Sequence, residues 1–189
     1  MGFIQLPVSE TIVQAAKDLR AERDQRYGNI FEERESDWRW SGEVGELLFN
    51  QWAKESFSAP LEWITEDAAG KADFVLDGLS IGMKTVKRQV PIKPGYTAQI
   101  TAKHAEEPVD YFLFASYEFP KERLWLLGVI SRSDFLKKAT YYPAGSQVHA
   151  NYTIRPGHEI FNIEIAKLTP MLDGLRAVIP KNYWNMTAH

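Results

Sequence analysis

A chain of 189 residues without cysteine is sized for one domain and has no disulfide, thiolate metal site or cysteine nucleophile. Its 22 Lys and Arg against 25 Asp and Glu leave a formal net charge of -3. That balance excludes the overall basic character of many nucleic-acid binders, so such a partner has to be met by a local basic rim.

Ser9 is placed to cap a helix running to about Arg26, with Ile12, Val13, Ala16 and Leu19 on one face and Lys17, Asp18, Arg20 and Arg23 on the other. Tyr27-Gly28-Asn29 ends it. A polar link from Glu32 to Asp37 leads to a second helix, from about Trp38 to Phe57, that turns Val44, Leu47, Leu48 and Trp52 inward. Glu43 and Glu46, three apart, are neighbours on its surface.

Beyond Pro60 the texture changes to short β-like runs: Leu61 to Ile64, Ala72 to Leu76, Leu79 to Lys84, Thr97 to Ala102, Tyr111 to Tyr117 and Leu124 to Ile130. Asp77-Gly78 between two apolar runs predicts a tight hairpin. A short helix is expected over Ser133 to Lys138, capped by Ser131 or Ser133, and a late strand over Phe161 to Ile165. Helices first, antiparallel strands next and mixed elements last predict an α+β fold: a mixed, mainly antiparallel central sheet flanked by helices. One domain is expected over residues 1–189, with helices in 8–57, the hairpin and sheet in 61–130 and further elements in 131–189.

The hairpin carries the chemistry. Asp73 lies near the start of one strand and Lys84 near the end of the returning strand, which brings both to one end of the sheet. Glu46, from a helix packed on that sheet, is the third contributor. Phosphodiester hydrolysis needs an activated water and compensation for charge on the phosphoryl group. Mg²⁺ or Mn²⁺ held by converging carboxylates, with a lysine alongside, supplies both. Asp is disfavoured in strands and a buried lysine needs a partner, so Asp73 and Lys84 account for each other.

These segments, Gly42-Glu43-Val44-Gly45-Glu46, then Asp73-Phe74, then Gly82-Met83-Lys84-Thr85, resemble the PD-(D/E)XK nuclease superfamily, in particular its small phage-type and plasmid-type members. Val109 to Ala115 and Leu126 to Leu136 are similar to the strands and short helix that follow in that group. The resemblance implies a restriction-endonuclease-like core and a metal-dependent DNA nuclease, with Asp73 and Glu46 as metal ligands, the Met83 carbonyl as a backbone ligand and Lys84 as the catalytic lysine. The chain departs from the pattern at one point. Gly82 stands where the second strand carboxylate is expected and offers no side-chain oxygen. Three outcomes follow: a relocated acid such as Glu43 or Asp77 restores the site, the metal binds more weakly through water, or the chain is a non-cleaving relative that binds nucleic acid or a protein partner. For Asp77 the ordinary role is the turn itself.

Lys87, Arg88, Lys93 and Lys103 form a local basic run beyond the hairpin that suits phosphate contacts. Arg34 and Arg39, with Trp38 and Trp40, are candidates to grip nucleic acid near the helix entry, although core packing is the ordinary role of such Trp residues. Tyr96 and Gln99 are candidate helpers on the strand after the lysine. The four histidines, at 104, 149, 158 and 189, show no metal-ligand spacing. No membrane-length apolar run and no signal-peptide pattern is present, so a cytoplasmic location is expected, in the host cytoplasm if the chain is phage-encoded.

Overall fold

The computed structural model describes residues 2–28, 39–66, 71–93, 95–149 and 152–185. Strand β1 (Ile4–Pro7) precedes helix α1 (Glu10–Tyr27), whose N-cap Ser9 accepts the Ile12 N–H at 3.3 Å, as the sequence predicts. Helix α2 (Ser41–Ser56) buries Val44, Leu48, Phe49 and Ala53. Its expected start at Trp38 and the polar link before it lie outside the described residues.

Strands β2 (Leu61–Trp63), β3 (Phe74–Leu76) and β4 (Leu79–Arg88) form an antiparallel meander. Leu76 pairs with Leu79 across Asp77 and Gly78, both of which adopt positive φ. That geometry belongs to the two-residue turn read from Asp-Gly. Strand β5 (Thr97–Thr101) and the short helix α3 (Ala102–Ala105) then carry the chain across to β6 (Tyr111–Glu118), which lies parallel to β4. A parallel neighbour requires such a crossover. Strand β7 (Arg123–Ser131) returns antiparallel, and α4 (Arg132–Lys138) starts on the Ser131 cap.

The six-stranded sheet has the order β1-β7-β6-β4-β3-β2. All its pairs except β4–β6 are antiparallel, so the α+β reading with a mixed, mainly antiparallel sheet holds. The strands expected over Thr97 to Ala102 and Phe161 to Ile165 form, but in a second sheet and not in the six-stranded one. Strand β8 (Thr140–Tyr142), the ribbon of β9 (Gln147–His149) and β10 (Tyr152–Thr153), and β11 (Ile160–Glu164) follow; β5 pairs with β11, and β11 with β8. Helix α5 (Met171–Val178) also escapes a sequence reading; it buries Met171 and Leu175 on the same side of the sheet as α2. Among the described residues no helix is long and apolar enough to cross a membrane.

Two apolar clusters cover the sheet. One joins Val44, Leu48 and Phe49 to Ile81, Met83, Leu113 and Leu126, and the other joins Ala98 and Ile100 to Phe112, Phe114 and Phe135. Strand alternation therefore sends Ile81 and Met83 toward α2, and Gly82 and Lys84 toward the β5–α4 side. Four tryptophans, Trp40, Trp52, Trp63 and Trp184, pack against the first cluster, in line with a packing role.

Gly45 sets the distance between α2 and the sheet. A Cβ there would collide with Thr85 Oγ1 and lie 3.0 Å from Met83 Cε and 3.2 Å from Thr85 Cβ, whereas one at Gly42 would meet open space. Gly45→Ala gains about 1 kcal/mol of helix propensity. The overpacking cost of about 1–3 kcal/mol acts against it. Urea unfolding should show Gly45→Ala less stable than wild type and Gly42→Ala equal or more stable.

Candidate active site

The Asp73–Lys84 pairing follows from the hairpin register. Phe74 faces Ile81, and beyond that pair β3 ends while β4 continues. The Met83 N–H, left without a strand partner on that side, donates to Asp73 Oδ2 at 2.6 Å. Along a strand the N–H and C=O of one residue point to the same side, so the Met83 carbonyl also lies on the Asp73 side. The Lys84 ammonium sits 4.0 Å from Asp73 Oδ2.

A nearer partner is Glu107, whose Oε2 lies 2.8 Å from Lys84 Nζ. This residue is 4 % exposed at its side chain, and it comes from the turn between α3 and β6. A Cβ built on Gly82 would lie 3.3 Å from Glu107 Oε2 and 3.3 Å from Phe112 Cδ1. The space beside Gly82, where the resemblance led to the expectation of a strand acid, is thus occupied by a carboxylate from elsewhere in the chain. The turn is pinned to the sheet: Asp110 Oδ2 accepts the Ser80 N–H and hydroxyl, each at 2.8 Å, and the Ala105 carbonyl accepts Arg132 Nε at 3.1 Å.

Nothing local in Glu106-Glu107-Pro108 announces this role. The only sequence signal is an acid shortly before a strand that turns out to lie parallel to the lysine strand, with Gly82 opposite Phe112. The acids expected to relocate do other work. Asp77 is the exposed turn residue, and Glu43 is fully buried in ion pairs with Arg20 and, at 2.8 Å, with Arg23.

Glu46 is also engaged. Arg23 grips it with both ends of its guanidinium, Nη1 to Oε1 at 3.0 Å and Nη2 to Oε2 at 2.8 Å, and Trp63 Nε1 donates to Oε2 at 2.9 Å. Its charge still acts on Asp73 and Lys84. Asp73 is pushed up to about 7, chiefly by burial against the pull of Lys84, with Glu46 and Glu107 adding to the rise. Burial likewise raises Glu107 against the pull of Lys84. Lys84 is raised: burial opposes its charge, but Asp73 and Glu107 outweigh burial and keep it protonated. Burial and the neighbouring Lys84 push His104 down to about 3, so it is neutral beside the site.

The remaining predicted contacts divide by exposure. Lys87, Lys93 and Lys103 are exposed beyond the hairpin. Arg88 donates to the Thr97 carbonyl at 2.6 Å and stacks its guanidinium 4.8 Å from the Tyr96 ring, which fixes β4 to β5. Arg39 is paired with Asp24 at 2.7 Å, Gln99 is exposed, and Arg34 and Trp38 lie outside the described residues.

Among the described residues no three His, Cys, Asp or Glu side chains form a ready-made metal cage. The donor set nevertheless suits a hard cation. Asp73 and Glu107 are two hard carboxylate donors that share one lysine, and the Glu107 side chain is 4 % exposed. Mg²⁺ needs only one or two carboxylates and keeps several waters. Compared with protein-family models, curated proteins and solved structures, the chain matches none.

The raised Asp73 has a measurable sign. An unfolded Asp titrates near 3.9, and the folded group near 7. The folded state therefore holds the extra proton between about pH 4 and 7, and stability from this group is lost as pH rises through that window. In metal-free buffer, Asp73→Asn should gain stability relative to wild type between pH 5 and pH 8, measured by urea unfolding at both values.

Proposed function

We propose that this protein is a divalent-metal-dependent phosphodiesterase of nucleic acid, acting on DNA, with a restriction-endonuclease-like core of the PD-(D/E)XK kind. The observation that carries this reading is Glu107. Its carboxylate lies against the Cβ position of Gly82 and 2.8 Å from Lys84, so the acid missing from the strand is supplied from the turn before β6. The antiparallel β3–β4 hairpin followed by a crossover to parallel β6 supports the same reading.

Asp73 and Glu107 are the carboxylates that would hold Mg²⁺ or Mn²⁺, with the Met83 carbonyl on the Asp73 side and Glu46 behind. When bound, the ion supplies a Lewis acid for the phosphoryl oxygens and lowers the pKa of an attacking water. The chain's own part is positional and electrostatic. The Met83 N–H fixes the Asp73 carboxylate, and the pinned turn fixes Glu107. Lys84 remains protonated beside both acids and offers its charge to the phosphoryl oxygens as negative charge builds on them. Exposed Lys87 and Lys93 supply the basic rim that the net charge of -3 does not.

Purified protein with Mg²⁺ or Mn²⁺ is expected to cleave linear, plasmid or branched DNA. Lys84→Ala, Asp73→Ala and Glu107→Ala should each lower the rate by about 10²-fold or more, the scale of losing one charge-stabilising group. A swap tests Glu107 directly. Gly82→Asp alone sets a second acid against Glu107 and should lower activity, while Gly82→Asp with Glu107→Ala should recover part of it. DNA binding without cleavage by any divalent ion would instead make the chain a non-cleaving nucleic-acid binder.

A further inference from the structure

Arg23 sits at the meeting point of α1 and α2, where it binds two carboxylates of one helix. Its Nη1 lies 2.8 Å from Glu43 Oε1 and 3.0 Å from Glu46 Oε1, and its Nη2 lies 2.8 Å from Glu46 Oε2. With Trp63 Nε1 on Oε2 as well, three donors occupy Glu46, and a carboxylate has about four lone-pair sites. Burial opposes the Arg23 charge, yet the two acids overcome it. Glu43 does not need Arg23 alone, because Arg20 also pairs with it. Arg23 further lines an open groove of about 390 Å³ between α1 and the β2 region, where Asp18 and Glu66 offer other acceptors.

We infer that Arg23 is a resident cation occupying the place of a metal ion on Glu46, and that Mg²⁺ or Mn²⁺ binding draws Glu46 into the site by displacing it. The inference rests on the metal-dependent reading above. In the free protein, Asp73 and Glu107 form the first binding step, and Glu46 joins only when Arg23 turns into the groove. Arg23 is therefore a positioning residue that sets metal affinity through Glu46. A purely structural Arg23 would act differently: its loss would loosen α2 and weaken the metal site.

The test is Mn²⁺ binding to the full chain without nucleic acid, by calorimetric titration and by the loss of the free Mn²⁺ spin-resonance signal. Arg23→Gln should bind Mn²⁺ about tenfold more tightly than wild type, since the competing charge-assisted hydrogen bonds are gone. The gain should vanish in Arg23→Gln with Glu46→Gln. Unchanged or weaker binding by folded Arg23→Gln, or a gain that survives in the double variant, overturns the inference while leaving the metal-dependent reading intact if wild type binds Mn²⁺ through Asp73. Absence of Mn²⁺ binding in both wild type and Arg23→Gln overturns both. Should Arg23→Gln fail to fold, Arg23→Lys carries the test. It keeps the charge but loses the two-pronged grip, and a smaller gain is expected, with no gain counting against the inference.

Discussion

The ammonium of Lys84 is the charge around which the rest of this protein is arranged. The Lys84 side chain is 13 % exposed, on the sheet face that also carries Phe112 and Phe114, and a largely buried charge in such a place must be compensated. Two carboxylates from distant parts of the chain do so. Asp73 reaches it across the β3–β4 hairpin, and Glu107 reaches it because β4 and β6 run parallel and the turn before β6 therefore ends beside Gly82. Removing either acid leaves the lysine charge with half its support, and removing the lysine leaves two acids without their shared cation. The cluster is a coupled unit whose members cannot be understood one at a time.

Gly82 acquires its meaning from that coupling. Read along the strand, a glycine in place of an acid is a lost ligand. In the folded chain it is the space that lets Glu107 approach, since a Cβ would already press on Glu107 Oε2 and the Phe112 ring. Charge at the junction of α1 and α2 follows the same logic. The chain of Arg20, Glu43, Arg23 and Glu46 alternates in sign, so α1 and α2 pack through buried ions without a net charge between them.

How much was legible in the sequence depends on the range of the interaction that decides each feature. Ser9 as a cap, Ser131 as one of two candidate caps and Asp77-Gly78 as a turn were readable because each works through backbone groups within three residues. The Asp73–Lys84 pair was readable because a two-residue hairpin fixes its own register. Strand β1 was not, since Ile4–Pro7 gains strand character only from pairing with β7; β5 and β11 were readable as strands, but their pairing with each other and with β8 in a separate sheet was not. Glu107 was hidden for the same reason. Glu43, a neighbour of Glu46 on its helix, is one of the two replacement acids the sequence offers, but burial beside Arg20 and Arg23 commits it to another network.

By itself, the sequence determined the α+β class, the capped helices, the hairpin and the pairing of an acid with a lysine at its open end. These rest on periodicity, turn chemistry and local register, which a few neighbouring residues suffice to set. Only the tertiary structure decided which carboxylate stands opposite Gly82, which arginine holds Glu46 and which basic residues stay exposed. Those choices depend on a parallel strand pairing and on helix packing between segments far apart in the chain, and no local pattern carries that information.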